Sequence, residues 1–217
     1  MKHRKVRSAK RSVRPAVKRR AADPKRVFVL YGRNREAAEA TRQFLSALGL
    51  QSTDFDEIKR RIDGSPSIRQ VVHLGVAEAT AVIALFTPDE QATLDEYFER
   101  VGDQPEQLQR WQARPNVIFQ AGLALGIDES KTIFVALGSD VSLFSDEGNR
   151  SVVGMDNSTQ KRHELRALLE TAGCAIAEDG DWLHQGDFET CIDRFATVAT
   201  QAPPTVAPSE KRCRDPD

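Results

Sequence analysis

The chain has 217 residues and a formal net charge of −1, enough for one domain with tails and too short for a second full domain. The near-neutral sum hides a basic arm on an acidic body: residues 1–26 hold twelve Lys and Arg against one Asp, or +11, which leaves −12 on residues 27–217. The arm has no apolar centre of the kind a secretory leader needs, and no later run is long enough to span a membrane, so a soluble, cytoplasmic protein is expected.

Residues 1–26 read as a disordered basic arm, 27–198 as the domain and 199–217 as a disordered tail, the last from Pro203, Pro204, Pro208 and Pro216 among charges. Within the domain, short apolar runs alternate with helical patterns. Val27–Tyr31 is the first strand. Asn34 then caps a helix whose Ala38, Thr41, Leu45 and Leu48 share a face, and Gly49 stops it. Gln51–Phe55 reads as a second, weaker strand. Ser65-Pro66 predicts the start of the next helix, with Ile68, Val71, Val72 and Val76 as its stripe, leading into the strand Thr80–Phe86.

Between Pro88 and Gln112 the chain is rich in carboxylates, Asp89, Glu90, Asp95, Glu96, Glu99 and Glu106, which predicts an exposed helix and loop. A helix opens at Pro115, followed by strands over Thr132–Leu137 and Ser151–Met155 and by an amphipathic helix over Ser158–Ala172 that ends at Gly173. A short strand and helix are expected over 174–198. Five strands alternating with helices predict an α/β, doubly wound, flavodoxin-like parallel sheet of strand order 2-1-3-4-5. In such a sheet the ligand crevice opens where the winding reverses, at Tyr31-Gly32-Arg33-Asn34 and Thr87-Pro88-Asp89, with the connection 56–65 and the helix at 115 as its neighbours.

Gly32-Arg33-Asn34, between a buried strand and a helix, can be a phosphate cradle with Arg33 as a charged donor, or only a turn glycine. On a helical wheel Val117, Ile118, Ala121, Ala124 and Leu125 form one stripe with Gln120 at its border, while Phe119 and Leu123 point away, toward either the 90–110 insert or another subunit. By residue type alone, Gln120 is most simply a helix-boundary amide satisfied by water. Cys174, Cys191 and Cys213 show no CxxC spacing and His73, His163 and His184 no ligand spacing, so neither a disulfide framework nor a metal site is expected. Serine-hydrolase and P-loop signatures are absent. The arm can bind nucleic acid or serve only as a solubilising tail.

Four stretches together resemble Toll/interleukin-1-receptor (TIR) domains, in particular the NAD-cleaving effectors of bacterial anti-phage defence. They are Val27 to Asn34; Gly64-Ser65-Pro66 with its helix; Val82 to Asp89 with Arg114-Pro115-Asn116-Val117-Ile118-Phe119; and Leu143-Phe144-Ser145-Asp146 with Met155-Asp156-Asn157-Ser158. The resemblance implies a TIR-like fold and NAD+ glycohydrolase activity, with NAD+ as substrate or ligand and no separate cofactor. It further implies a homo-oligomer, an upstream activating protein and an antiviral role.

It also implies a pocket lined by Tyr31, Gly32, Arg33, Asn34, Phe55, Asp56, Ser65, Thr87 and Asn116, with Gln120 where relatives carry a catalytic glutamate. Two readings of that glutamine stay open: a relative with impaired catalysis that still binds nucleotide, or a Glu→Gln change made so that a complex could be studied. In a third, Asp56, Glu57 or Asp89 replaces the acid. The rival from another class is a non-catalytic nucleotide-binding or TIR–TIR interaction module.

Overall fold

The computed structural model describes residues 22–98, 109–138 and 152–191. Residues 1–21 of the expected disordered arm, the expected disordered tail and the Leu143–Asp146 motif lie outside these residues. The main sheet has five parallel strands, β1 (Asp23–Leu30), β2 (Gln51–Asp54), β3 (Ala79–Phe86), β6 (Thr132–Ala136) and β7 (Val152–Gly154), in the spatial order β2-β1-β3-β6-β7. Counting only these strands, the order is the expected 2-1-3-4-5. The first strand starts at Asp23, so Lys25 and Arg26 of the basic run belong to the sheet, and Arg26 pairs with Glu78 at 3.2 Å.

Strand alternation sorts the core onto two faces. Val27 and Val29 of β1, Ala81, Ile83 and Leu85 of β3 and Ile133 and Val135 of β6 pack beneath helices α1 (Arg35–Ala47) and α5 (Thr159–Thr171), with Phe44, Leu165 and Leu169. The intervening residues Phe28, Leu30, Val82, Ala84, Phe86 and Phe134 face α2 (Phe55–Arg60), α3 (Ile68–Glu78) and α4 (Pro115–Ile127). A strand buried on both faces has no polar side to show, which is why all eight residues of β3 are buried apolar or threonine.

Local chemistry sets the helix ends. Asn34 caps α1 by accepting from the Ala37 amide at 2.9 Å, and Gly49 closes it at φ 74°, a conformation that favours glycine. The start of α3 corrects the sequence reading. Ser67 is its cap and Ser65-Pro66 lies outside, because Ser67 and Gln70 form a reciprocal box in which each side chain satisfies the other's backbone amide. Ser65 has Ile68 three residues on and cannot form one.

The 90–112 region also departs from expectation. Where a helix and loop are predicted, β4 (Glu90–Thr93) and β5 (Gln109–Gln112) form an antiparallel ladder, with a 3-10 turn at Glu96–Phe98. The ends of this insert leave β3 and enter α4 side by side, and a two-strand ladder satisfies the backbone of chains so placed. Its carboxylates are a poor guide because they report exposure rather than period.

No strand forms over 174–191; helix begins only at Glu189, and the remainder of the expected element lies outside the described residues. Single backbone bonds hold the segment to other elements, Ala175 N–H to Pro24 O and Ala177 N–H to Leu48 O, so it meets the start of β1 and the end of α1 without joining a ladder. Among the described residues no helix is long and apolar enough to cross a membrane, and no cluster of His, Cys, Asp or Glu could hold a metal ion.

Candidate functional site

A cleft of about 560 Å³ opens at the carboxyl end of the sheet beside β1, where the winding reverses. Three walls form it. The turn after β1 gives Tyr31, Gly32, Arg33 and Arg35; the end of β2 with the first turn of α2 gives Asp54, Phe55 and Asp56; the start of α4 gives Arg114, Asn116, Val117 and Gln120.

Gln120 is the residue that α4 delivers most deliberately. Val117, Ala121 and Ala124 bury the helix against Phe86 and Phe134, and this rotation turns Gln120 inward with only 8% of its surface exposed, onto the cleft. Its amide has no hydrogen-bond partner among the described protein residues, and its polar atoms open onto the cleft, where water or a ligand can meet them. On the same helix Phe119 is 55% exposed, so the described part of the insert does not cover it, whereas Leu123 is half-buried against the core.

The acidic wall is held rigidly. Asp54 accepts from the Glu57 amide at 2.8 Å, Glu57 returns the bond to the Asp54 amide at 3.1 Å, and the Tyr31 hydroxyl donates to Asp54 Oδ2 at 3.3 Å. Burial, and then the Asp54 charge beside it, raise the Tyr31 pKa, so Tyr31 stays a neutral donor to Asp54. Asp56 has no partner among the described residues and stands exposed on the cleft wall.

The turn after β1 is pinned from below. Asp89 Oδ2 accepts from the Arg33 amide at 2.9 Å, and Oδ1 accepts from the Thr87 hydroxyl at 2.7 Å. A Cβ on Gly32 would fall 1.8 Å from Asp89 Oδ2, so any side chain there would push the Asp89 carboxylate away from the Arg33 amide. The Arg33 amide proposed as part of a phosphate cradle is therefore already bonded to a carboxylate. Cationic character in the cleft comes instead from the side chains of Arg33, Arg35 and Arg114, the last also paired with Glu90 at 2.9 Å.

Of the residues expected from sequence, Tyr31, Gly32, Arg33, Phe55, Asp56, Asn116 and Gln120 line this one cleft. Asn34 and Thr87 do not line it: one caps α1 and the other braces Asp89. Ser65 is exposed in the loop before α3, also outside the lining. Arg35, Asp54, Arg114 and Val117 also line the cleft, beyond the expected set. Asp54 was findable, since it ends β2 and the strand-end rule that nominated β1 and β3 applies there too.

The family model for the TIR domain of CAP12/Pycsar effector proteins matches residues 26–157, which includes all three walls. The chain belongs to this family. It is an effector TIR module on a flavodoxin-like sheet. The chain is also similar to the Escherichia coli (strain K12) protein named "Uncharacterized protein YuaY", 24% identical over 155 residues, covering 71% of this chain. It spans about half of that relative, 48% of its length.

Proposed function

We propose that this TIR domain binds NAD+ in the cleft and belongs to the NAD+ glycohydrolase class of immune effectors, with catalysis impaired by the amide at Gln120. The observation that carries this reading is the unpartnered, nearly buried Gln120 amide facing a cleft with arginines on two walls and carboxylates on the third. Such a cleft suits a dinucleotide, whose diphosphate needs cations and whose ribose hydroxyls need acceptors.

In the reaction the bond between nicotinamide nitrogen and ribose C1′ breaks, and its electron pair neutralises the pyridinium. Water adds to the oxocarbenium-like carbon and loses a proton. A carboxylate at position 120 would offset the developing positive charge and accept from the ribose hydroxyls. Gln120 retains the reach and the hydrogen bonding but neither the charge nor the basicity, a loss of about 10²–10⁴ in rate. Of the acids that could substitute, Asp89 is committed to Arg33 and Thr87, and Glu57 to its capping box; neither lines the cleft.

Arg33→Ala should weaken NAD+ binding by about 1.5 kcal/mol, roughly tenfold, if its guanidinium meets a phosphate. Calorimetry reads this directly, and unchanged affinity would remove Arg33 from the site. The second reading is a non-catalytic module that binds nucleotide or pairs with another copy, favoured by the amide and by the exposed Phe119 on the same helix. Nicotinamide release by the Gln120→Glu chain would exclude it.

A further inference from the structure

The cleft is polarised. Arginines stand on the β1 turn and at the start of α4, while Asp54 and Asp56 stand together at the end of β2. Asp54 is held in place from two sides, by the α2 amide of Glu57 and by the Tyr31 hydroxyl, and Asp56 is unengaged among the described residues. Gln120 on the opposite wall, 8% exposed and without a hydrogen-bond partner among the described residues, leaves its amide free to meet a ligand in this space.

The order of parts along the chain has a chemical consequence. In dinucleotide-binding units of strand, glycine-rich turn, helix and strand, an acid at the end of the second strand, about 20 residues after the turn, accepts from the adenosine ribose 2′-hydroxyl. Gly32-Arg33-Asn34 lacks the glycine-rich fingerprint, so what is shared is the order of the elements and the place of the acid. Here β1, Gly32, α1 and β2 follow in that order, and Asp54 lies 22 residues after Gly32. A carboxylate there welcomes a free diol and opposes a phosphate on the same oxygen, because like charges at a few ångströms repel and the phosphate has no proton to donate.

We propose that Asp54 and Asp56 make the cleft selective for a dinucleotide with an unphosphorylated adenosine ribose, NAD+ rather than NADP+. Asp54 receives the hydroxyl, and Asp56 adds the charge that excludes the phosphate. The inference rests on the reading of the cleft as a nucleotide site.

The test is calorimetric titration of the full chain with NAD+, NADP+ and ADP-ribose, which needs no turnover. NADP+ should bind at least about tenfold more weakly than NAD+. Asp56→Arg, at an exposed position that bears no described structural bond, should shrink the difference to about threefold or less by exchanging repulsion for attraction. Asp54→Asn should act in the same direction if it folds, and its melting temperature checks the loss of the α2 cap.

Equal or tighter binding of NADP+ by the unaltered chain would overturn the proposal while leaving the nucleotide site intact. Discrimination that survives Asp56→Arg unchanged would overturn the assignment of the charge to this wall. Absence of binding by all three nucleotides would instead defeat the reading of the cleft, and the proposal with it.

Discussion

Gln120→Glu is expected to raise NAD+ cleavage at least about a hundredfold over the chain as it stands. The helix already places the side chain against the cleft, with Val117, Ala121 and Ala124 fixing its rotation, so the substitution changes charge without changing reach. Affinity for NAD+ should move little, since glutamate and glutamine are nearly isosteric and both accept from ribose hydroxyls. Nicotinamide release under single-turnover conditions separates the outcomes. Undetectable release from both forms would mark a binding module. Comparable, robust release from both would move the catalytic role to another acid, with Asp56 the first to change because it alone of Asp56, Glu57 and Asp89 lines the cleft.

The second large effect concerns folding. Arg162 is 3% exposed on α5, and its guanidinium donates to Trp182 O at 3.2 Å, Gly186 O at 2.6 Å, Asn157 Oδ1 at 3.0 Å and Gln185 O. It also lies within 5.2 Å of the Phe188 ring centre. Through these bonds one side chain gathers the irregular 182–188 segment over Phe44, the place where no ladder satisfies the backbone. Burial lowers the Arg162 pKa, and Asp187 and Asp156 oppose that shift, yet an arginine remains charged throughout the working range.

Arg162→Ala removes every one of these donors and leaves buried carbonyls unsatisfied, at a cost of about 3–4 kcal/mol. Arg162→Lys should recover only part of this, because an ammonium cannot spread its donors over a fork. Urea unfolding checks both: the midpoint should fall with little change in slope. A midpoint shift for Arg162→Ala of less than about 1 kcal/mol would show that the 182–188 segment is held by packing alone.

Where burial repeats with a simple period, the sequence was readable. Residues 27–30 of β1 and the whole of β3 and β6 are buried, largely apolar runs because both faces are covered there, and α1 and α5 carry their own caps at Asn34 and Ser158. The crevice followed from strand order, which brought seven of the expected residues onto one lining. What was not legible depends on distant partners. The β4–β5 ladder exists because β3 and α4 hold its two ends together, a fact absent from its own residues. The commitment of the Arg33 amide to Asp89 spans 56 positions, and no local pattern announces it. The segment 174–191 takes its bonds from scattered partners, Pro24, Leu48, Asn157 and Arg162, so its residues carry no period of their own.

The central claim, that the cleft between β1, β2 and α4 receives a dinucleotide with its ribose toward Gln120, is tested most directly by mapping amide resonances of the isotope-labelled chain during titration with ADP-ribose. Saturable shifts are expected at Gly32, Arg33, Asp54, Phe55, Asp56, Asn116 and the Gln120 side-chain amide, with Ser67, Gln70 and His73 on the α3 surface unmoved. Shifts confined to the α3 surface, or no shift anywhere at millimolar ligand, would contradict it.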